Sequence, residues 1–174
     1  MGSAGFGAIA TFSSLLFAGH SWTPVWLAFS AYASALIIAR VAFGHLPDRL
    51  GGARVALWFI LIETVGLTLM WLAAGVLAAT IGAALTGFGY ALVFPALGVE
   101  AVRGAPPESR GVAMGAYTAC LDVALGVSGP VLGAIASRTG LSSVFLASAV
   151  AVFGAAFIAV RLLGARSTID EAPQ

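Results

Sequence analysis

The first charged side chain in this chain of 174 residues is Arg40. Residues 1–39 are therefore uncharged, yet they are too many for one helix. A helix at a water interface normally carries charged residues on its outer face, and this stretch has none. One polar break interrupts it, His20-Ser21-Trp22-Thr23-Pro24. Trp favours the membrane boundary, and Pro favours the first position of a helix. The segment predicts two membrane-spanning helices, over about residues 2–19 and 24–46.

The same punctuation continues to the end of the chain. Charged residues make up 9% of the sequence, against about 25% in a typical soluble domain. Hydrophobic residues make up 60%, and mean hydropathy is +1.04. These values exclude a soluble globule and a disordered chain. A span needs about 20 apolar residues, so the length suits six. The remaining four are predicted over about 54–74, 76–99, 111–136 and 141–163. The long apolar runs lack the alternation of barrel strands, so the class is an all-α integral membrane protein. No separate soluble domain is predicted.

Net charge is +1, which gives no basis for nucleic-acid binding. Met1 is not followed by a basic leader and cleavage site, so no removable signal peptide is predicted. Cys120 is the single cysteine, allows no disulfide within the chain, and is expected to be buried. His20 and His45 stand alone near helix ends, so no metal site is predicted. No nucleotide loop, GxSxG or HExxH occurs, so neither an enzyme nor a cofactor is expected. The lipid bilayer is the expected surrounding.

Arginine placement sets the orientation. With six spans both termini share one side, which holds Arg49, Arg54, Arg103, Arg110, Arg161 and Arg166. The other side holds Arg138. The positive-inside rule makes the arginine-rich side cytoplasmic, with both termini there and the protein in the inner membrane. Arg40 falls within the second helix, near enough to its cytoplasmic end to snorkel. An internal repeat is a weaker signal. Gly5-Phe6-Gly7 with Phe12 matches Gly87-Phe88-Gly89 with Phe94 in spacing. A three-plus-three repeat predicts that pairing, but 22 Gly and 11 Phe leave chance open.

The first cytoplasmic turn reads Gly44-His45-Leu46-Pro47-Asp48-Arg49-Leu50-Gly51-Gly52-Ala53-Arg54. Its glycines permit a tight turn and close backbone approach, and Asp48 can cap a helix or pair with Arg54. The pattern G-x-L-x-D-R-x-G resembles the loop signature of the major facilitator superfamily. That family usually places a basic residue directly after Gly51, where this chain has Gly52. The second loop, Pro106-Pro107-Glu108-Ser109-Arg110-Gly111, resembles the family's P-x-x-R-G segment. The resemblance implies a cytoplasmic charge cluster of Asp48, Glu100, Arg110 and Arg40 that latches one side shut. Interfacial charges in contact with water are the alternative.

Gly126-Val127-Ser128-Gly129-Pro130-Val131-Leu132-Gly133 resembles the family's glycine-proline helix motif. Gly126, Gly129, Pro130 and Gly133 suit close helix packing in lipid. Asp122 shares a helix face with Gly126, Gly129 and Gly133, and a carboxylate facing lipid is costly. That face is expected to look into the bundle. Asp122 can exchange a proton or contact substrate; the alternative is a hydrogen bond to Ser34 or Tyr32. Glu63 is the other acid deep in a span. The resemblance makes its helix peripheral, which favours a structural tie to a neighbouring helix. It makes the first, fourth and fifth helices cavity-lining, so Thr11, Ser14, Thr86, Tyr90, Tyr117 and Thr118 are candidate ligand contacts. Each can equally be an interhelical hydrogen bond.

The resemblance spans roughly residues 4–163 and implies one six-helix half of such a transporter. The degenerate loop signature, the lack of a basic leader and Ala83, where an Arg often precedes Gly87 in the other half, favour the C-terminal half. The sugar-efflux-like bacterial branch is the nearest in motif order. The implied activity is alternating-access transport of an unspecified small molecule, with proton-coupled efflux. A missing N-terminal half, a homologous half or a second copy would supply the other wall. A membrane scaffold or assembly protein that has lost transport is the alternative.

Overall fold

The computed structural model describes residues 3–103 and 105–170, of which 3, 158, 159 and 161–170 are described as backbone only. Seven α-helices occur among them: α1 Ser3–Gly19, α2 Leu27–Phe43, α3 Leu46–Leu50, α4 Gly52–Trp71, α5 Val76–Arg103, α6 Arg110–Thr139 and α7 Leu141–Asp170. A 3-10 turn at Pro107–Ser109 precedes α6, and no strand is present among the described residues. By length and apolar composition three segments can cross a membrane: Gly52–Trp71, Val76–Arg103 and Pro107–Thr139. Ala4–Gly19, Leu27–Phe43 and Leu141–Phe157 are shorter apolar helices.

The helix ends shift from the sequence expectation for local reasons. α2 begins at Leu27 rather than Pro24, because Trp26 and Val25 form a turn in which Leu27 N–H donates to Pro24 O at 3.1 Å. His20 Nδ1 lies 3.0 Å from Leu16 O, and its ring stacks on Trp22 at 4.6 Å, which closes the preceding turn. α2 stops at Phe43, and the signature loop folds into the short α3. Gly51 joins α3 to α4 at φ 88°, a conformation that favours glycine. α5 and α6 each run about one turn beyond the expected ends, to Arg103 and Thr139. The side chains of Arg161 and Arg166 lie outside the described residues.

The centre of the fold is the antiparallel pair α4 and α5, flanked by α2 on α5 and by α7 on α4. α4 buries Ala56, Phe59, Ile60, Glu63, Leu67 and Met70, a stripe of helical period. Their partners on α5 include several glycines. Gly52 stands against Ala96, Glu63 against Gly89, Gly66 against Thr86, and Met70 against Gly82. A Cβ on Gly82 would lie 2.9 Å from Gly66 O, so the two backbones touch there. Without a hydrophobic drive between helices in lipid, such close approach supplies packing contacts directly. Thr64, Thr68, Thr80 and Thr86 each donate their hydroxyl to the carbonyl four residues back, at 2.8 Å. This leaves no unmet donor where threonine enters an apolar helix.

α6 is packed differently. Leu132 is its buried residue among those described, and most of its surface is open. It touches α1, where Gly7 faces Ser128 Oγ, and also meets α5 and α7. Cys120, expected to be buried, is exposed on this helix. The apolar run around it is real, but its neighbours cover only one side of α6.

Candidate functional site

The most enclosed ionisable group is Glu63, at the middle of the buried stripe of α4 and 0% exposed. Leu or Ile would be expected at such a position. Gly5, in the first turns of α1, lies directly against Glu63 Oε1, and its Cβ position is 3.2 Å from Cδ. Gly89 of α5 lies against the Glu63 backbone, with a Cβ position 2.7 Å from both Cα and Cβ. The two Gly-Phe-Gly segments that echo each other in sequence thus deliver one glycine each to the same residue. Phe6 stacks on Tyr90 at 5.8 Å and tilts against Tyr32 at 6.2 Å. Glu63 is within electrostatic reach of both tyrosines, as is Arg40. Among the described residues, neither carboxyl oxygen of Glu63 has a hydrogen-bond partner, and neither has the buried Tyr32 hydroxyl.

The expected structural tie from Glu63 to another helix is therefore not a hydrogen bond. The acid is held by close packing instead. The sequence pattern singled out neither Tyr32 as its neighbour nor Gly66 of α4 and Gly82 of α5 as contacts. The available signal was small residues at 82, 86 and 89 on α5, spaced to share a face.

At the loop signature, Gly44, Asp48, Arg49 and Arg54 are exposed, and so are Arg40 and Arg110. Glu100 is half-buried and comes to the start of α4, where Ala53 N–H donates to its Oε1 at 3.1 Å. A carboxylate there satisfies a free amide and complements the positive end of the helix. Gly52 explains the missing basic residue. A Cβ there would collide with Ala96 O and come within 2.8 Å of Glu100 Oε1. Gly52 and Glu100 thus meet at one helix start, while Asp48, Arg40 and Arg110 remain at the surface.

The candidate ligand contacts divide. Tyr117 donates its hydroxyl to Phe94 O at 3.0 Å and stacks on Phe94 at 5.1 Å, which ties α6 to α5. Thr86 is buried with its hydroxyl against Gly66. Thr118 donates to Met114 O at 3.0 Å. Tyr90 is half-buried beside Phe6, Thr11 is exposed on α1, and Ser14 is half-buried there.

Asp122 is exposed midway along α6. The expected inward-looking face is not turned towards the helices of this chain, and the alternative bond to Ser34 or Tyr32 is not made. Gly111, Gly115, Gly126, Gly129 and Gly133 share a stripe with Asp122, at spacings of three, four and seven residues. A Cβ on any of these five glycines would meet nothing within 4 Å. Pro130 is exposed beside them. Val123, Val127 and Val131 form a separate exposed apolar row.

The sequence profile described as Major Facilitator Superfamily matches residues 1–173. An uncharacterized MFS-type transporter of Pseudomonas aeruginosa strain LESB58 is 44% identical over 162 residues, covering 93% of this chain and 40% of the relative. Uncharacterized MFS-type transporters of Burkholderia mallei strain SAVP1 and Burkholderia pseudomallei strain 668 are 48% identical over 151 residues. Those matches cover 87% of this chain and 37% of each relative. The chain thus spans about 40% of the length of the curated relatives it matches. These relatives are named as MFS-type transporters, and three segments of this chain are long and apolar enough to cross a membrane. The helical architecture, the loop signature and the match along nearly the whole sequence lead to one conclusion: this chain belongs to the Major Facilitator Superfamily.

Proposed function

We propose that this chain forms the C-terminal six-helix half of a secondary active transporter that moves a small molecule by alternating access. The transport is outward and driven by protons, in the inner membrane, with both ends of the chain cytoplasmic. One observation carries this reading. α6 is long and apolar enough to span the bilayer, yet it presents an exposed Asp122 in a stripe of glycines that touch no helix of this chain. A carboxylate facing lipid is expensive, whereas one facing a second helical unit across a wet cavity is not. The smooth glycine face gives a partner helix close access. The occupant is the complementary half, either from the same polypeptide or as a homologous half or a second copy. Asp122 then sits between the halves, where it can exchange a proton or hold substrate.

The test is co-expression of this chain with the N-terminal half of the Pseudomonas aeruginosa relative. Everted membrane vesicles would be acidified inside and followed with a pH-sensitive dye during addition of a compound panel. The reading expects at least one compound to dissipate the gradient when both halves are present and none with this chain alone. Stable association without any such response would instead favour a scaffold.

A further inference from the structure

We propose that Glu63 is a proton-binding site within this half, separate from the α6 face. The link to transport rests on the transporter reading above; the binding site itself does not.

The argument begins with the cost of the group. A carboxylate with no hydrogen-bond partner is one of the least favourable occupants of an apolar interior. Glu63 occupies the centre of the α4 stripe with both oxygens unpartnered, and the Tyr32 hydroxyl beside it is unpartnered as well. Among the described residues, Tyr32 of α2 and Tyr90 of α5 lie within electrostatic reach of it, with Arg40 of α2 within reach of both tyrosines. α1 brings Gly5 and Phe6, and residues 141–157 of α7 contain no titratable side chain.

The ligand must also fit the space. Gly5 and Gly89 press against the carboxyl and the backbone so closely that neither position could carry a Cβ. A hard metal ion needs several oxygen ligands around a cavity. A proton needs neither. When the carboxyl is neutral, α1 can close over it through Gly5. When it is ionised, its charge must be met by water, which requires the Gly5 contact to open. Proton binding is thereby tied to the position of α1.

The experiment uses the full chain in detergent micelles, with dicyclohexylcarbodiimide, an apolar reagent that modifies neutral carboxyl groups. Mass spectrometry would locate the adduct, and infrared difference spectra would follow the carbonyl band of a protonated acid. The expected result is modification at Glu63 that falls reversibly, about tenfold per pH unit above its midpoint. The acid band should titrate in parallel and be absent in Glu63→Gln, a neutral near-isostere that preserves the packing. Absence of an adduct and of a titrating band in the folded chain overturns the proposal, as does a Glu63 signal that sodium ions suppress at fixed pH. None of these readouts needs substrate or a partner half, so failure here leaves the transporter reading standing. Success here with a silent vesicle assay would leave the site and reject its role in transport.

Discussion

Gly89 of α5 lies against the backbone nitrogen, Cα and Cβ of Glu63 in α4, with no side chain between the two helices. The contact holds the pair together at the level of the acid. A methyl group at Gly89 would sit 2.7 Å from Glu63 Cβ, well inside normal contact. Gly89→Ala should therefore destabilise the chain by about 1–3 kcal/mol through overpacking. Gly75→Ala, where nothing lies within 4 Å, should change stability by no more than about 0.5 kcal/mol. Denaturant unfolding in mild detergent, followed by circular dichroism, checks both.

Gly52 occupies the place where a basic residue is usual in the family. Restoring that residue should harm this chain, because Ala96 O and Glu100 crowd the position. Gly52→Arg is expected to lower the yield of monodisperse protein on size-exclusion chromatography. Glu100→Ala removes the acceptor for Ala53 N–H and should cost about 0.5–2 kcal/mol, as lost helix caps do.

Tyr117 spends its hydroxyl on Phe94 O while its ring stacks on Phe94. Tyr117→Phe keeps the stacking and loses the hydrogen bond. A destabilisation of about 0.5–1.5 kcal/mol is expected in the same unfolding assay. Tyr117→Ala loses both and should exceed it.

The open stripe on α6 separates folding from assembly. Gly129→Leu should leave the stability of the isolated chain within about 0.5 kcal/mol, since no atom of this chain lies near. The same change should abolish co-purification with the complementary half. Asp122→Asn should likewise leave stability unchanged, because the side chain is exposed. In vesicles containing both halves it should abolish the coupling of flux to the pH gradient. A coupled flux at the unsubstituted level would remove Asp122 from the proton path.

How much of this was legible before folding varied with the kind of information. Helix positions were largely legible, because runs such as residues 1–39 carry their own boundary marks. The loop signature located a tight turn, and Gly51 at φ 88° bears out its need for glycine. The substitution of Gly52 for a basic residue looked like decay of a motif. Contact with Ala96 O makes it a packing requirement, and no local pattern in the loop encodes a carbonyl more than forty residues away. Glu63 was visible as an acid in a span, but its surroundings depend on Gly5 and Gly89, which come from two other helices.

Sequence by itself determined the solvent, the helices and the turns of this protein. Those follow from local hydrophobicity and backbone preference, which each segment carries alone. Tertiary structure decided which face of each helix meets another. In an apolar helix within lipid, hydropathy does not distinguish the packed side from the lipid side. Only assembly revealed that the glycines of α4 and α5 meet a neighbour, that those of α6 around Asp122 do not, and that Glu63 lies shut inside the bundle.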